Sequence, residues 1–206
     1  MGVDIIVIIT ISAISIYAFS NPAIIEKLQF NAWKVIHNKE YYRLISHGAV
    51  HGGWMHLIIN MYVLYIFARA SIILFYRDMH VSGELYFLIL FVTAIPTSSI
   101  YSVFKEKNNY NYNAVGASGG VTAIVFATIF FEPFLPLRFI FIPIDIPGIV
   151  FGILYLVYSK YMSRKNIDNI GHDAHFWGAV YGFVFPILFK PVLAKEFIVK
   201  IISIFS

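Results

Sequence analysis

Long apolar segments dominate this chain, and each of them approaches or reaches the length of a membrane-spanning helix. Such a helix needs about 20 mostly apolar residues. The segments cover residues 5–19, 53–74, 84–104, 117–131, 144–158 and 174–189. Of the 206 residues, 59% are hydrophobic and 13% are charged, whereas a soluble domain has about 25% charged residues. We therefore predict an all-α integral membrane protein, with one multi-pass domain of about six helices over residues 1–206.

The rest of the composition narrows the class of protein further. The chain has no cysteine, which excludes disulfides and thiolate metal sites. Its net charge of +4 is small, and the basic residues of membrane proteins usually lie near lipid headgroups, so no nucleic acid partner is expected. Asp4, rather than a basic residue, precedes the first apolar segment, which disfavours a cleaved signal peptide. If the N-terminus is inside, the outer loops hold more Lys and Arg than the inner loops. This runs weakly against the positive-inside rule, so the distribution of charge does not decide the orientation.

Residues 21–50 combine charged side chains with aromatic and aliphatic ones. This segment is too polar to span a bilayer and too aromatic for an ordinary solvated loop, so we predict an interfacial structure in the headgroup zone. The tail, residues 192–206, mixes charged residues with Phe and Ile, and we expect it on the surface. Polar residues within the apolar segments are costly in a membrane and are therefore candidates for function.

The first such group is Gly116, Ser118 and Gly119, at the start of the fourth apolar segment. From Ser118 to Phe131 a helix rises roughly 21 Å, whereas the bilayer core is about 30 Å thick. Ser118 would then lie below the membrane surface, where non-helical backbone survives only inside protein or beside water. We therefore predict a water-filled cavity that reaches Ser118. Close packing of small residues between helices is the alternative reading of this pattern.

The second group is His175, Gly178 and Gly182, which share one face of the last apolar segment. The two glycines form a small-xxx-small pair that brings a neighbouring helix close. A histidine on that face points at the neighbour, and imidazole can take a proton from a hydroxyl near neutral pH. A structural histidine bonded to a backbone carbonyl is the alternative. His172, nearby, is predicted to be an interfacial loop residue.

The third group is His56 and Asn60, four residues apart on the second apolar segment. They share a helical face, and their ring N–H and amide N–H groups suit a developing oxyanion. Hydrogen bonding between helices is the plainer explanation. His47 and His51 have a spacing that would also fit a metal site. The chain has no His-Glu-x-x-His, however, so the usual base of a zinc protease is missing.

Together the three groups provide a nucleophile, a base and oxyanion donors, the minimum for acyl transfer. Asp173 is two residues from His175 and would point elsewhere on a helix, so we predict a Ser118–His175 dyad. This serine mechanism calls for no metal and no cofactor. Two alternatives stay open: a catalytically inactive protein that binds membrane helices, and a histidine-based metal or haem protein.

These groups resemble, in order and position, the motifs of the rhomboid family of intramembrane serine proteases. The resemblance covers about residues 40–190. The family's spaced histidines followed by His-x-x-x-Asn match His51, His56 and Asn60. Its Gly-x-Ser-Gly motif matches residues 116–119, and its Ala-His-x-x-Gly-x-x-x-Gly motif matches residues 174–182. Tyr42-Arg43 is similar to an aromatic-Arg pair that usually has Trp before the Arg.

The resemblance implies a six-transmembrane-helix bundle around a short central fourth helix. It makes Ser118 the nucleophile and His175 the general base, with the oxyanion held by His56, Asn60 and the Ser118 backbone N–H. The supporting residues would be Gly116, Gly119, His51, Gly178, Gly182 and Arg43. Substrates would be transmembrane proteins, the fifth span would move to admit them, and the embedded first loop would brace the site. The N-terminus would be cytoplasmic and the location the cell membrane. The oligomeric state is left open.

Two departures from the family pattern bear on this site. Many members have Tyr four residues after the serine, stacked on the catalytic histidine, where this chain has Thr122. Many also have Glu twelve residues after the asparagine, where this chain has Ile72. The first departure concerns the support of His175, and the second concerns stability more than chemistry.

Overall fold

The computed structural model describes residues 1–139, 142–165 and 171–203. Most of these residues are helical, as the apolar segments predict. The helices are α1 (Val3–Phe19), α2 (Pro22–Leu28), α3 (Ala32–His37), α4 (Arg43–Ser46), α5 (Trp54–Leu74), α6 (Gly83–Lys105), α7 (Ser118–Phe131), α8 (Gly148–Lys165), α9 (His172–Phe189) and α10 (Val192–Ile202). Strands β1 (Pro136–Phe139) and β2 (Ile142–Pro147) form an antiparallel hairpin between α7 and α8.

Two helical segments of the described residues are long and apolar enough by themselves to cross a membrane. They are α5 with its π-helical extension, Trp54–Met79, and α6. Helices α9 and α10 would form a third span if counted together, although the chain bends by 117° between them. Helices α1 and α7 are apolar but shorter. The structure is therefore that of a helical membrane protein, and the number of six spans stays a prediction.

Helix α7 forms the centre of the bundle. It packs against α5, α6, α8 and α9, and each of its residues from Gly119 to Phe131 is buried. A helix that is apolar all round is expected in such a surrounded position. Its 14 residues span roughly 21 Å, which confirms the predicted short central helix.

The segment before α5 contains α2, α3, α4 and a single turn of 3-10 helix, His47–Ala49. It is joined to the loop before α7, where Phe30 and Ala114 exchange both backbone hydrogen bonds, at 2.9 and 3.1 Å. Asn31 strengthens this junction, because its amide donates to the carbonyl of Tyr110 at 2.8 Å. The polar residues of the first loop thus tie two loops together next to Ser118.

The predicted bounds of the fifth apolar segment were wrong at both ends. Residues 144–147 belong to β2, and α8 continues through Lys165, seven residues beyond the predicted end at Tyr158. Pro147 has no backbone N–H to donate and favours an extended residue before it, so the helix starts only at Gly148. At the other end, Arg164 and Lys165 are exposed, so their long side chains keep their charges in water while the helix continues. The predicted polar loop after Tyr158 falls partly in residues 166–170, which lie outside the described residues.

The chain bends by 117° between α9 and α10, at Lys190 and Pro191. Helix α10 packs back on the bundle, with Leu193 buried and Phe197 stacked on Phe130 at 5.3 Å between ring centroids. The Lys200 ammonium donates to the Phe131 carbonyl at 2.7 Å. This contact satisfies a carbonyl at the C-terminus of α7, where a cation is favoured.

Candidate active site

Ser118 is the first residue of α7 and is half-buried. The three preceding residues are not helical, and Gly116 has a φ of 118°, a region that side chains rarely occupy. A Cβ at Gly116 would also lie 2.7 Å from Cε1 and 2.8 Å from Nε2 of His56. Glycine is therefore required twice at this turn, for its backbone conformation and for the approach of the His56 ring.

A cavity of about 1000 Å³ opens at this turn. Six of the residues predicted from the sequence line it together: Ser118, His175, His56, Asn60, Gly116 and Gly119. These residues come from α5, α7, α9 and the loop before α7, so the fold gathers groups that are far apart in the chain. The cavity reaches Ser118 at the end of a short buried helix, as the length of that helix predicts.

Glycines bring α9 against α7 beside this cavity. A Cβ at Gly178 would collide with the backbone of Gly119, and a Cβ at Gly182 would collide with the backbone of Ala123. Such small-xxx-small contacts allow helix backbones to approach closely. His175 lies one turn before Gly178, so this packing brings its ring to the end of α7 where Ser118 lies.

Asn60 and His56 place polar groups on the wall of the cavity formed by α5. The Asn60 amide donates one N–H to the His56 carbonyl at 2.9 Å. This bond within the helix fixes the rotamer of Asn60, which is buried. A primary amide has a second N–H, so Asn60 can hold a fixed orientation and still donate a hydrogen bond to a ligand.

His51 connects helix α1 to the loop before Ser118. Its Nε2 accepts a hydrogen bond from the Ala117 backbone N–H at 3.4 Å, so the ring proton lies on Nδ1. Nδ1 is 2.9 Å from the hydroxyl oxygen of Ser15, and that hydroxyl donates to the carbonyl of Ala49 at 3.1 Å. Ser15 was not among the residues predicted from the sequence. It is a buried polar residue in an apolar helix, and that cost could have marked it.

Arg43 organises the first loop around the same site. Its guanidinium is buried and donates to the carbonyls of Glu26 and Gln29, both at 2.8 Å, and to the Glu40 carboxylate at 2.6 Å. One turn later, the carbonyl of His47 accepts from Gly116 N at 2.9 Å. Arg43 thus holds the loop from which a backbone bond reaches the turn before Ser118. The Asn38 amide and then the Arg43 guanidinium hold the pKa of Glu40 at about 2, well below its usual value.

Tyr155, on α8, is a further residue that the sequence analysis did not identify. Its ring stacks on that of His175, with centroids 6.3 Å apart and planes inclined by 27°. Its hydroxyl lies 3.3 Å from the Thr122 hydroxyl oxygen. Both Tyr155 and Thr122 line the cavity. Thr122 stands where many members of the family that the motifs resemble have a stacked Tyr, and in this chain the ring on His175 comes from another helix instead.

At the start of α9, the prediction for His172 was wrong and the prediction for Asp173 was right. His172 is buried at the first position of α9, so its assignment to a loop was wrong; the Tyr158 ring covers it, edge to face at 5.7 Å. Asp173 does point elsewhere, because its carboxylate pairs with Lys105 at 2.7 Å and also accepts from Ser163. Asp173 therefore links α6, α8 and α9 at this end of the bundle.

Comparison with protein families matches residues 38–191 to the Rhomboid domain. The chain belongs to the rhomboid family. The match covers most of the chain and agrees with the extent predicted from its motifs. A search of curated proteins gave no match. Rhomboid proteins are generally intramembrane serine proteases, and inactive members also exist, so activity is argued below from the residues of the cavity.

Proposed function

We propose that this rhomboid protein is an intramembrane serine endopeptidase with a Ser118–His175 dyad. The observation that carries the proposal is the shared cavity, in which a serine, a histidine and two oxyanion donors meet at the N-terminus of a short buried helix. The inward-facing glycines of α9 support it, because they bring the helix with His175 against the helix that begins with Ser118.

The proposed reaction follows from the chemistry of these groups. His175 takes the proton of the Ser118 hydroxyl as its oxygen attacks the carbonyl carbon of the scissile peptide bond. The oxyanion accepts hydrogen bonds from the Ser118 backbone N–H, the Asn60 amide and the His56 ring. His175 then protonates the leaving amine, which completes the acyl-enzyme. Water, activated by His175, hydrolyses the ester and restores Ser118.

The α5 wall of the cavity supports the proposed oxyanion site. Gly116 leaves room for the His56 ring directly beside the turn that leads to Ser118. Asn60 is buried and held by its own helix, so its second N–H needs little reorganisation to bind developing charge. At the N-terminus of α7, backbone N–H groups lack partners within the helix and favour negative charge.

The substrate we propose is a transmembrane segment of another protein, cleaved near its outer end at a small residue. The cavity extends between α5 and α8, where Ile59 and Val63 of one helix face Phe151 and Tyr155 of the other. These apolar walls suit a lipid-embedded segment. In a helix the backbone carbonyls accept hydrogen bonds from N–H groups of the same helix, so the segment must unwind before one of its carbonyls can be attacked. Gly or Pro near the cleavage site should therefore speed the reaction, and a uniformly Leu-rich helix should resist it.

Covalent labelling tests the nucleophile. A serine-directed fluorophosphonate should label the full-length protein in membranes, and peptide mapping should place the adduct on Ser118. Ser118→Ala should remove the label, and His175→Ala should reduce it strongly, since the base activates the hydroxyl. A folded protein that resists labelling and fails to cleave unwinding-prone transmembrane substrates would overturn the proposal in favour of a membrane-helix binder.

The hydrogen bonds of His47 and His51 weigh against a metal site built on them. Both ring nitrogens of His51 are engaged, with Ser15 and Ala117. Those of His47 meet the Arg43 carbonyl at 2.9 Å and the Ser99 hydroxyl at 3.2 Å. Among the described residues, moreover, no three His, Asp or Glu side chains are grouped to hold a metal ion. Metal content and the absorption spectrum of the purified protein test this alternative directly.

A further inference from the structure

A second cavity, of about 450 Å³, lies between α1 and α5 at the opposite end of the bundle from Ser118. Its lining combines two charged residues, Asp4 and Arg69, with apolar and aromatic neighbours: Gly2, Ile5, Tyr65 and Ile66. Arg69 is 13 residues after His56 on the same helix, which separates the two sites by about 20 Å. The cavity is thus separate from the proposed catalytic site.

Asp4 contributes a buried acceptor to this cavity. The residue is only 7% exposed, and its Oδ1 atom has no hydrogen-bond partner within the described part of the chain. An unpaired carboxylate oxygen in a buried position is costly, so buried groups of this kind are nearly always satisfied by a partner. Neither oxygen of the Asp4 carboxylate has a donor within the described residues, and Asp4 lines the cavity, so this carboxylate can accept an N–H or O–H from a bound ligand.

Arg69 contributes a guanidinium group that can bind an anionic ligand. Its side chain is exposed, and it forms neither a hydrogen bond nor an ion pair within residues 1–139, 142–165 and 171–203. Arg69 is eight residues before Arg77, the next charged residue of the same span, about 12 Å along the helix. A long arginine side chain extends from there toward the headgroup layer.

The surroundings of the cavity point to lipid as the source of the ligand. Tyr65 and Ile66 are exposed on the apolar helix α5, at 62% and 45%, so this wall faces the acyl chains of a membrane. Glu84 adds a second carboxylate at the edge, because a Cβ built on Gly2 would lie 3.7 Å from its Oε1. The cavity is also much larger than one water molecule, which occupies about 30 Å³.

We propose that this cavity binds the headgroup of a phospholipid that carries a primary ammonium beside its phosphate, of the phosphatidylethanolamine type. Arg69 binds the phosphate oxygens, and the Asp4 carboxylate accepts an N–H from the ammonium. A phosphatidylcholine headgroup has the same charges but no N–H donor, so it leaves the Asp4 carboxylate without a hydrogen bond. A phosphatidylglycerol headgroup brings no cation to a cavity edged by Asp4 and Glu84. This cavity, together with Asp4 and Arg69, is called the headgroup site below.

Native mass spectrometry of the full-length, delipidated protein tests the headgroup site. Phosphatidylethanolamine, phosphatidylcholine and phosphatidylglycerol with identical acyl chains are titrated in turn. We expect phosphatidylethanolamine to bind about tenfold more tightly than either of the others, since hydrogen bonds to charged groups are the strong ones. Equal binding of phosphatidylethanolamine and phosphatidylcholine, or tighter binding of phosphatidylglycerol, would overturn the proposal.

Substitutions in the headgroup site test whether the lipid binds there. Asp4→Asn and Arg69→Gln should each weaken phosphatidylethanolamine binding about tenfold, and Ile66→Trp, which narrows the cavity without changing charge, should weaken it too. The matched controls are Glu196→Gln and Arg164→Gln, at exposed positions on other helices, and both should bind like the parent. If Asp4→Asn does not fold, Arg69→Gln and Ile66→Trp still decide the question. Unchanged binding in both of these would contradict the headgroup site.

A soluble ligand separates a lipid site from a site for a free phosphate ester. Glycerophosphoethanolamine carries the same ammonium and phosphate but no acyl chains. It should compete only weakly, because the apolar contacts with Tyr65 and Ile66 are absent. Competition as strong as that of the lipid would show that the site does not recognise a membrane lipid and would overturn the proposal as stated.

Discussion

The ring of Tyr155 stacks on the ring of His175, with centroids 6.3 Å apart and planes inclined by 27°. Tyr155 belongs to α8, and its hydroxyl lies 3.3 Å from that of Thr122 on α7. The histidine that we propose as the general base is therefore supported from a helix that must move if substrates enter between α5 and α8. In the proposed mechanism, a displacement of α8 would both open the cavity and loosen the base.

We expect Tyr155→Ala to lower the rate of proteolysis about tenfold, because an aromatic pair contributes about 0.5–1.5 kcal/mol beyond its buried area and the imidazole would lose its orientation. The fall should appear in kcat more than in KM. Tyr155→Phe, which keeps the ring and loses only the hydroxyl group, is the matched control and should retain most activity. Cleavage of a reconstituted transmembrane substrate measures both.

The double variant Thr122→Tyr with Tyr155→Ala extends this test. A tyrosine at position 122 would restore a ring beside His175 from α7, as in many rhomboid proteins. Activity above that of Tyr155→Ala alone is the expected result. If Tyr155→Ala has full activity in a folded protein, the stack plays no part in positioning His175.

Gly178 should not tolerate a side chain. Gly178→Ala places a methyl group against the backbone of Gly119, which cannot move aside as a flexible side chain would. We expect destabilisation of about 1–3 kcal/mol from overpacking, seen as a lower melting temperature in detergent, together with a large loss of cleavage. Gly171→Ala is the control on the same helix end, because within the described part of the chain its Cβ would meet only Ala174 Cβ, at 3.8 Å. Equal melting temperatures for the two variants would contradict the close α7–α9 contact.

Glu40 should make the first loop sensitive to acid. Its pKa is lowered to about 2 by the Asn38 amide and Arg43, so its stabilising contribution is present above its ordinary pKa of 4.5 and is lost as the pH falls toward 2. Hydrogen exchange of the loop amides between pH 6 and pH 3 should show increasing opening in the parent. Glu40→Gln should be more open at pH 6 and change less with pH.

The control for this experiment is Glu26→Gln. Glu26 is 72% exposed in its side chain, and its carboxylate is 3.9 Å from the Lys34 ammonium, an arrangement worth little in water. Its removal should leave the pH dependence of the loop unchanged. An identical response in the two variants would show that the Glu40–Arg43 pair does not hold the loop.

The sequence was sufficient for the parts of this fold that depend on local pattern. The bounds of α6 and α7 agree with prediction within a residue, because apolar length and the polar residues after each segment determine where a span ends. The hairpin of β1 and β2 was missed, since a short apolar segment rich in Ile and Pro has the composition of either a strand or a span. Arg138 and Asp145 pair across the hairpin at 2.7 Å, and two opposite charges near an apolar segment are a weak signal in the sequence.

In the candidate site too, the sequence predicts the residues that stand out locally and misses the one that only packing brings in. Ser118, His175, His56 and Asn60 could be found because polar groups in apolar segments are costly and therefore stand out. Tyr155 could not, because tyrosine is common at membrane interfaces and only the packing of α8 brings its ring to His175. A single ring contact between two helices leaves no recognisable pattern in the sequence of either helix, unlike the glycine spacing of α9.

Ser118 should be accessible to water although it lies at the end of a buried helix. It is half-buried and borders a cavity of about 1000 Å³. Ser118→Cys in intact membranes should therefore react with small water-soluble thiol reagents, and the parent, which has no cysteine, gives the background. Thr128→Cys is the control, because Thr128 is fully buried in the same helix. Inertness of both variants in folded protein would contradict a wet cavity.

The sizes of the losses on mutation should separate the roles of the four residues proposed to carry the reaction. Ser118→Ala and His175→Ala should each abolish measurable cleavage, because a nucleophile and its base fail as a unit. Asn60→Ala should lower the rate about 10²–10³-fold, about 3–4 kcal/mol, since the other oxyanion donors remain. His56→Ala should fall between these limits, because its ring also fills the space left by Gly116.

A chelator should leave the rate unchanged, as each proposed step uses only protein groups and water. Full activity of Ser118→Ala, or loss on chelation with recovery on adding zinc, would replace the serine mechanism with metal chemistry.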